Sequence, residues 1–211
     1  LDRGKQVLYL LPEIALTTQI IKRLQKYFGN QVGITHSHLN NSERVEIWNA
    51  VQQKNINKVK YPIMLGARSS LFLPFDNLGL IIVDEEHDSS FKQNQLAPRY
   101  HARDAAVYLG SLHQAKVLLG SATPSIESYY NANKEKYGLV EMHSRFKDIA
   151  LPKIKTIDIR KAHLKKKMHY QFSPKMLDAI TETLENGKQV ILFQNRRGYS
   201  PVLSCEYCAY T

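Results

Sequence analysis

Two short polar motifs, each set directly after an apolar run, carry the chemistry open to this sequence. Leu80-Ile81-Ile82-Val83 leads into Asp84-Glu85-Glu86-His87, and Val117-Leu118-Leu119 leads into Gly120-Ser121-Ala122-Thr123. Such runs read as fully buried strands of a parallel sheet. Open α/β sheets bind their ligands at the carboxyl ends of the strands. Adjacent carboxylates at a strand end suit a Mg²⁺–nucleotide site. Asp84 would help to hold Mg²⁺, through water, and Glu85 would orient or deprotonate an attacking water. Ser121 and Thr123 bring hydroxyls to the next strand end, where they can also cap the helix that follows. His87 has no partner ligand at metal spacing, so it reads as a link between the two motifs rather than as a metal ligand.

Three other groups could contact an anion or a metal. Arg68, Ser69 and Ser70 follow Gly66 where a strand turns into a helix, and N–H groups at a helix start beside an arginine bind phosphate. They are assigned to a DNA backbone, with a plain helix cap as the alternative. The stretch from Phe91 to Tyr100 is an irregular loop carrying Phe91, Lys92, Arg99 and Tyr100. Aromatic and basic residues together suit stacking on unpaired bases and contact with phosphates. Arg196 and Arg197 follow a further apolar run and suit phosphate, either of DNA or across an interdomain cleft. Cys205 and Cys208 are half of a tetrahedral zinc site, which needs four ligands.

The elements that must position these groups alternate. Strands are expected over Gln6–Leu11, Gln31–His36, Tyr61–Leu65, Leu78–Val83, Ala115–Leu119 and Gln189–Phe193. Helices are expected over Ile14–Phe28, from Ser42 as cap through Gln53, over His101–His113, from Ser125 to Asn133, and from Ser173-Pro174 to Glu185. In the first helix Ile20, Ile21, Leu24 and Phe28 share a face, and in the second Val45, Trp48 and Val51 recur at helical spacing. Strands alternating with helices imply right-handed crossovers and a parallel sheet, hence an α/β fold. The Lys- and His-rich stretch from Arg145 to Tyr170 breaks the alternation. A junction near 143–152 therefore separates a first domain, 1–145, from the beginning of a second, 146–211.

Composition agrees with a polyanionic partner. The 211 residues hold 29 Lys+Arg against 19 Asp+Glu, a formal net charge of +10, and the pI is near 9.5. Nucleic acid is the commonest partner of such a chain. No apolar stretch approaches the roughly 18 residues of a membrane span. Two cysteines three residues apart make no disulfide framework, which points to a reducing compartment. Leu1-Asp2-Arg3-Gly4-Lys5 is neither a signal peptide nor an initiator sequence, and the chain reads as a fragment.

The two opening motifs resemble the DExH box and the third motif of superfamily 2 helicases. Further segments extend the likeness to one family. They are Leu11-Pro12-Glu13-Ile14-Ala15-Leu16-Thr17; His36-Ser37 with Glu43-Arg44 and Trp48; Gly66-Ala67-Arg68-Ser69-Ser70-Leu71-Phe72 with Pro74-Phe75; Phe91-Lys92-Gln93; and Arg99-Tyr100-His101-Ala102-Arg103-Asp104. Gly120-Ser121-Ala122-Thr123-Pro124-Ser125 and Asn195-Arg196-Arg197-Gly198-Tyr199 with Cys205 and Cys208 complete the set. In this order, across nearly the whole chain, they resemble the primosomal protein N′ (PriA) helicase family.

The resemblance implies a RecA-like first helicase lobe followed by the beginning of a second. It implies a parent enzyme that uses ATP and Mg²⁺ to move 3′→5′ on DNA, restarts stalled bacterial replication forks and helps to reload the replicative helicase. Branched and single-stranded DNA, single-stranded DNA-binding protein and helicase-loading primosome proteins are its implied partners, with no membrane. The bacterial cytoplasm, at the nucleoid, is its implied location. By the same resemblance Thr17 lies near DNA phosphate, Glu13 orders its loop, and Glu86 occupies a variable, surface-facing position. The Phe91–Tyr100 segment becomes the aromatic-rich loop that links DNA binding to ATP hydrolysis. Cys205 and Cys208 begin a cysteine-rich insertion holding two structural Zn²⁺ ions, whose other ligands are expected beyond Thr211.

One departure matters. The family's phosphate loop, Gly-x-x-x-x-Gly-Lys-Thr, should precede Gly4-Lys5-Gln6 and does not occur in the sequence. That loop supplies N–H groups and a lysine to the phosphates. The fragment is therefore expected to hydrolyse no ATP by itself. The rival class is a non-catalytic basic α/β module that binds DNA or a replication partner.

Overall fold

Residues 1, 3–15, 18–37, 39–52, 60–193 and 207 are described by the computed structural model. The chain divides into two compact units, Leu1–Glu141 and Met142–Thr211.

The first unit is built on five parallel strands: β1 (Gln6–Leu10), β2 (Val32–Thr35), β3 (Ile63–Gly66), β4 (Leu78–Asp84) and β5 (Lys116–Gly120). Their order is β2-β3-β1-β4-β5. Parallel neighbours need crossovers, and the helices supply them: α1 (Thr18–Phe28), α2 (Asn41–Val51) and α3 (Ala102–Leu112). A further helix, α4 (Ile126–Asn133), follows β5.

Side chains alternate across β1, so its two faces feed two cores. Leu8 and Leu10 join Val51, Met64, Ile81, Val83, Ala102 and Ala106 in one. Val7 and Tyr9 pack with Ile20, Ile21 and Leu24 of α1 over Leu11, Val32, Ile63 and Leu65 in the other. Central strands covered on both faces explain the near-continuous apolar runs of β3 and β4. Gly66, at the end of β3, is needed for close approach. A Cβ there would lie 2.1 Å from Ser70 Oγ and 2.8 Å from the Thr35 carbonyl oxygen.

Several elements differ from expectation. The first helical pattern is divided into a 3₁₀ turn at Glu13–Ala15 and α1 from Thr18. Asn40, not Ser42, caps α2: its side chain accepts from the Glu43 N–H while the Glu43 carboxylate accepts from the Asn40 N–H. That reciprocal box satisfies two end donors at once, which a serine two residues later could not do. Ile47 and Val51 pack on the core, whereas Val45 and Trp48 are exposed. β5 is not fully buried; as an edge strand it leaves Leu118 56% exposed.

The second unit contains α5 (Arg160–Leu164) and α6 (Pro174–Glu185). Ser173 caps α6 through the Met176 N–H, with Pro174 in the first turn. The strand expected at 189–193 does not form. Ile191 is 93% and Phe193 85% exposed. A strand is held by the ladder of a neighbour, and none of the described residues of this unit belongs to a strand.

Candidate nucleotide site and loop

The acidic motif sits where the topology directs it. Asp84 closes β4 at the carboxyl edge of the sheet and is in register with Gly120 of β5. Asp84 Oδ2 accepts a 2.9 Å hydrogen bond from the Tyr9 hydroxyl, and Oδ1 accepts from the Glu85 N–H. Burial first, then this bond and the Asp84 charge, pushes the Tyr9 phenol up to about 12. Tyr9 therefore stays protonated and donates. Each Asp84 oxygen still has a free lone pair for a water-held cation.

The chain turns sharply after Asp84. Glu85 adopts a left-handed φ of 50°, a conformation uncommon for a residue with a Cβ. The turn is closed by the Asp88 N–H on the Glu85 carbonyl. Its effect is to bring the Glu85 carboxylate out to solvent, 48% exposed, while the next side chain points inward.

His87 lies between the two motifs. Its Nδ1 is 2.7 Å from Ser121 Oγ and its Nε2 is 3.4 Å from Thr123 Oγ1. Glu85 Oε2 is 3.6 Å from the same Nδ1. Ser121 Oγ also accepts the Thr123 N–H, so the hydroxyls are organised by their own turn as well as by the imidazole. Asp84, Glu85, His87, Ser121 and Thr123 thus fall together at two adjacent strand ends.

Glu86 overturns an expectation. It is not on the surface but 1% exposed. The turn at Glu85 rotates it under the start of α4. There one carboxylate oxygen accepts from the Ser125 N–H at 2.7 Å; the other accepts from Ser125 Oγ, Ser128 Oγ and Arg103 Nη1. Burial alone would raise its pKa. The bonds from Ser125, Ser128 and Arg103 together outweigh burial and hold it below the ordinary carboxylate value. Arg103 is itself buried, opposed by Asp104 at 2.8 Å as well as by Glu86 at 3.1 Å. Neither this cluster nor Tyr9 is apparent from the motifs. The available signal was Ser125 at a helix start.

The phosphate-contact group is only partly presented. Arg68–Phe72 forms a short 3₁₀ turn with Ala67 before it and no side-chain cap. Ser69 is exposed. Ser70 is not available to a ligand: it is 1% exposed and its Oγ, facing Gly66, has no hydrogen-bond partner. Arg68 Nη1 donates to the Ser90 and Lys92 carbonyls. The guanidinium therefore pins the loop to β3's end while its remaining donors stay exposed.

The loop is closed by a bridge between Lys92 and His101, and Lys92 Nζ donates to the Arg99 carbonyl. Phe91 is again a correction. It is 0% exposed within the larger core, so its ring offers no face to a base. Its apolar surface, held by the Asp88-capped turn, wins over the stacking role that its basic neighbours suggested. Phe91→Ala should lower stability by ~3–5 kcal/mol, the cost of emptying an aromatic core site, as read by urea unfolding. Tyr100 is half-buried, edge-on to exposed Phe72 at 5.0 Å. Beside them Arg68 and Lys92–Leu96 line an open polar cleft of about 390 Å³.

Thr17, Arg196, Arg197, Cys205 and Cys208 lie outside the described residues. Among the described residues no group of three His, Cys, Asp or Glu could hold a metal ion, and no helix is long and apolar enough to cross a membrane.

Comparison with known proteins agrees with this arrangement. Residues 1–132 match the DEAD/DEAH box helicase family. Over 210 residues the chain is 40% identical to the Replication restart protein PriA of Bacillus subtilis and 47% identical to that of Rickettsia typhi. Over 211 residues it is 44% identical to that of Chlamydia pneumoniae. Each alignment takes in the whole of this chain but only 25%, 31% and 28% of the respective relative, so the chain spans about a quarter to a third of the curated relatives it matches. A parallel sheet with its acidic motif at the edge, a family match over the first 132 residues and relatives that are all replication restart proteins lead to one assignment: the chain belongs to the DEAD/DEAH box helicase family.

Proposed function

We propose that this chain is the hydrolytic and DNA-contacting part of an ATP-dependent 3′→5′ DNA helicase that restarts stalled replication forks. The observation that carries the reading is His87, within hydrogen-bonding reach of Ser121 and Thr123 while joined covalently to Asp84-Glu85-Glu86. Carboxylates that handle metal and water are thereby tied to a second turn able to move with bound nucleic acid.

The donor set fits a hard cation, since carboxylate and hydroxyl oxygens suit Mg²⁺. Asp84, steadied by Tyr9, and the hydroxyls of Ser121 and Thr123 would hold the Mg²⁺–ATP complex, which when bound supplies the scissile phosphoanhydride and neutralises its charge. Glu85 then accepts the proton of the attacking water. His87 passes the state of the site to the Ser121–Thr123 turn. Because phosphoryl transfer depends on positioning and charge, a phosphate-binding loop must complete the site, and the sequence contains no Gly-x-x-x-x-Gly-Lys-Ser/Thr.

DNA is proposed to run past the open cleft, touching Ser69, Lys92, Arg99 and the face of Tyr100. Thr17, Arg196 and Arg197 are proposed as further phosphate contacts. The implied partners are branched and single-stranded DNA, single-stranded DNA-binding protein and helicase-loading proteins. Cys205 and Cys208 are proposed, from sequence alone, as half of a structural zinc site.

The test is a DNA titration against salt. Affinity of the chain for single-stranded DNA should fall steeply between 50 and 200 mM salt, on the order of tenfold or more, through counterion release. Lys92→Ala and Arg99→Ala should each reduce the salt slope by about one. Equal affinity across that range would remove the phosphate contacts.

A further inference from the structure

Glu86 is a buried carboxylate that the hydrolysis reading leaves unused, and its partners all belong to α3 or to the start of α4. The segment from Gly120 to Ser125 is attached to the acidic motif at three places in succession. The Glu86 N–H donates to the Gly120 carbonyl at 3.1 Å. His87 meets Ser121 and Thr123. The Glu86 carboxylate then takes the Ser125 N–H, the Ser125 hydroxyl and the Ser128 hydroxyl. Ser125 caps α4 through the Ser128 N–H, so the carboxylate holds the helix start as well as the turn.

We propose that Glu86, backed by Arg103, is a positioning residue that clamps the Gly120–Ser125 turn and thereby fixes His87 against Ser121 and Thr123. The imidazole cannot hold the turn alone. Its side chain is 35% exposed, and water competes for hydrogen bonds made there. Glu86 is sealed from water, so its bonds keep their strength and their geometry. Glu86 and His87 are consecutive. A displacement of the turn must therefore break the buried bonds before it can separate the imidazole from Ser121. Arg103 also sits two residues after His101, the closing residue of the loop, so one ion pair joins the loop's end to the clamp. The consequence for turnover rests on the nucleotide-site reading above; the placement of His87 does not.

The experiment reads His87 directly. The ¹⁵N-labelled chain is compared with Glu86→Ala, Glu86→Gln and, as a control for lost stability, Val51→Ala, which empties a core site on α2. In both Glu86 variants the His87 ring nitrogens should move toward the shifts of a free imidazole, further in Ala than in Gln. Amide exchange at Ser125 and Ser128 should rise about tenfold or more. In Val51→Ala the His87 shifts should match the parent. If Glu86→Ala fails to fold, Glu86→Gln, which keeps the shape and one acceptor, decides. A folded Glu86→Gln with parental His87 shifts and parental exchange would overturn the clamp, as would an equal movement of His87 in Val51→Ala. Loss of ATP turnover by Glu86→Gln in a protein that joins this chain to a phosphate-binding segment, with His87 unmoved, would count against the clamp and leave the nucleotide site standing.

Discussion

Glu85→Gln is expected to lower ATP hydrolysis about 10²–10⁴-fold, the range attributable to a positioned general base, while leaving ATP binding within about twofold. The assay requires a protein in which this chain is joined to a phosphate-binding segment, with DNA present. The amide preserves the size and hydrogen-bonding reach of the side chain but cannot take the proton of water. Geometry makes the substitution clean. Glu85 is half exposed, and among the described residues its ionic neighbour is His87 at 3.6 Å. Removing a weak exposed contact costs little, so urea unfolding should change by less than about 0.5 kcal/mol, as for an ordinary surface site. Hydrolysis retained within a factor of three would take Glu85 out of the chemistry and move the role to another group.

How much of this was legible in the sequence follows from the range of the forces involved. The parallel sheet was legible because buried central strands need continuous apolar runs, as Ile81 and Val83 show at 0% exposure. The acidic motif and Ser121–Thr123 were legible because strand ends, not details of packing, place them. Glu86 was not. Its burial depends on the left-handed turn at Glu85 and on Ser125, Ser128 and Arg103 arriving from 17 to 42 residues away. A carboxylate alone reads as surface; four donors around it reverse that. Phe91 failed for the opposite reason, since lysine and arginine neighbours suggested a nucleic-acid loop while the ring itself found the core. Ser70 was misjudged because the close approach to Gly66 turns its hydroxyl inward. The cap of α2 was legible in principle as Asn40-x-x-Glu43; of the three residues at helical spacing Val51 is buried, whereas Val45 and Trp48 are exposed.

Arg103→Ala should cost ~3–5 kcal/mol in stability, because it strands a buried carboxylate without its cation. The figure sets this pair apart from the surface pairs of the same chain. Lys60 and Glu46 meet at 2.9 Å but with side chains 56% and 67% exposed, where a pair contributes ~0–1 kcal/mol. Arg103 and Glu86 meet at 3.1 Å with side chains 8% and 1% exposed. The cost is mostly that of an uncompensated charge, and this has a signature. Glu86→Leu combined with Arg103→Met should be more stable than Arg103→Met alone, although it removes one more polar group, since no buried charge then remains. Ser125 N–H and Ser128 Oγ would still lack their acceptor, so the double variant should stay below the parent. Urea unfolding of the parent, Glu86→Leu, Arg103→Met and the double variant at neutral pH measures the cycle, with Arg103→Ala beside them. A cost below about 1 kcal/mol for Arg103→Ala, in the range of an exposed pair, would mean that Glu86 is satisfied by the serines alone. The stability and the placement of His87 separate in the double variant: part of the first returns, whereas the second needs the carboxylate itself.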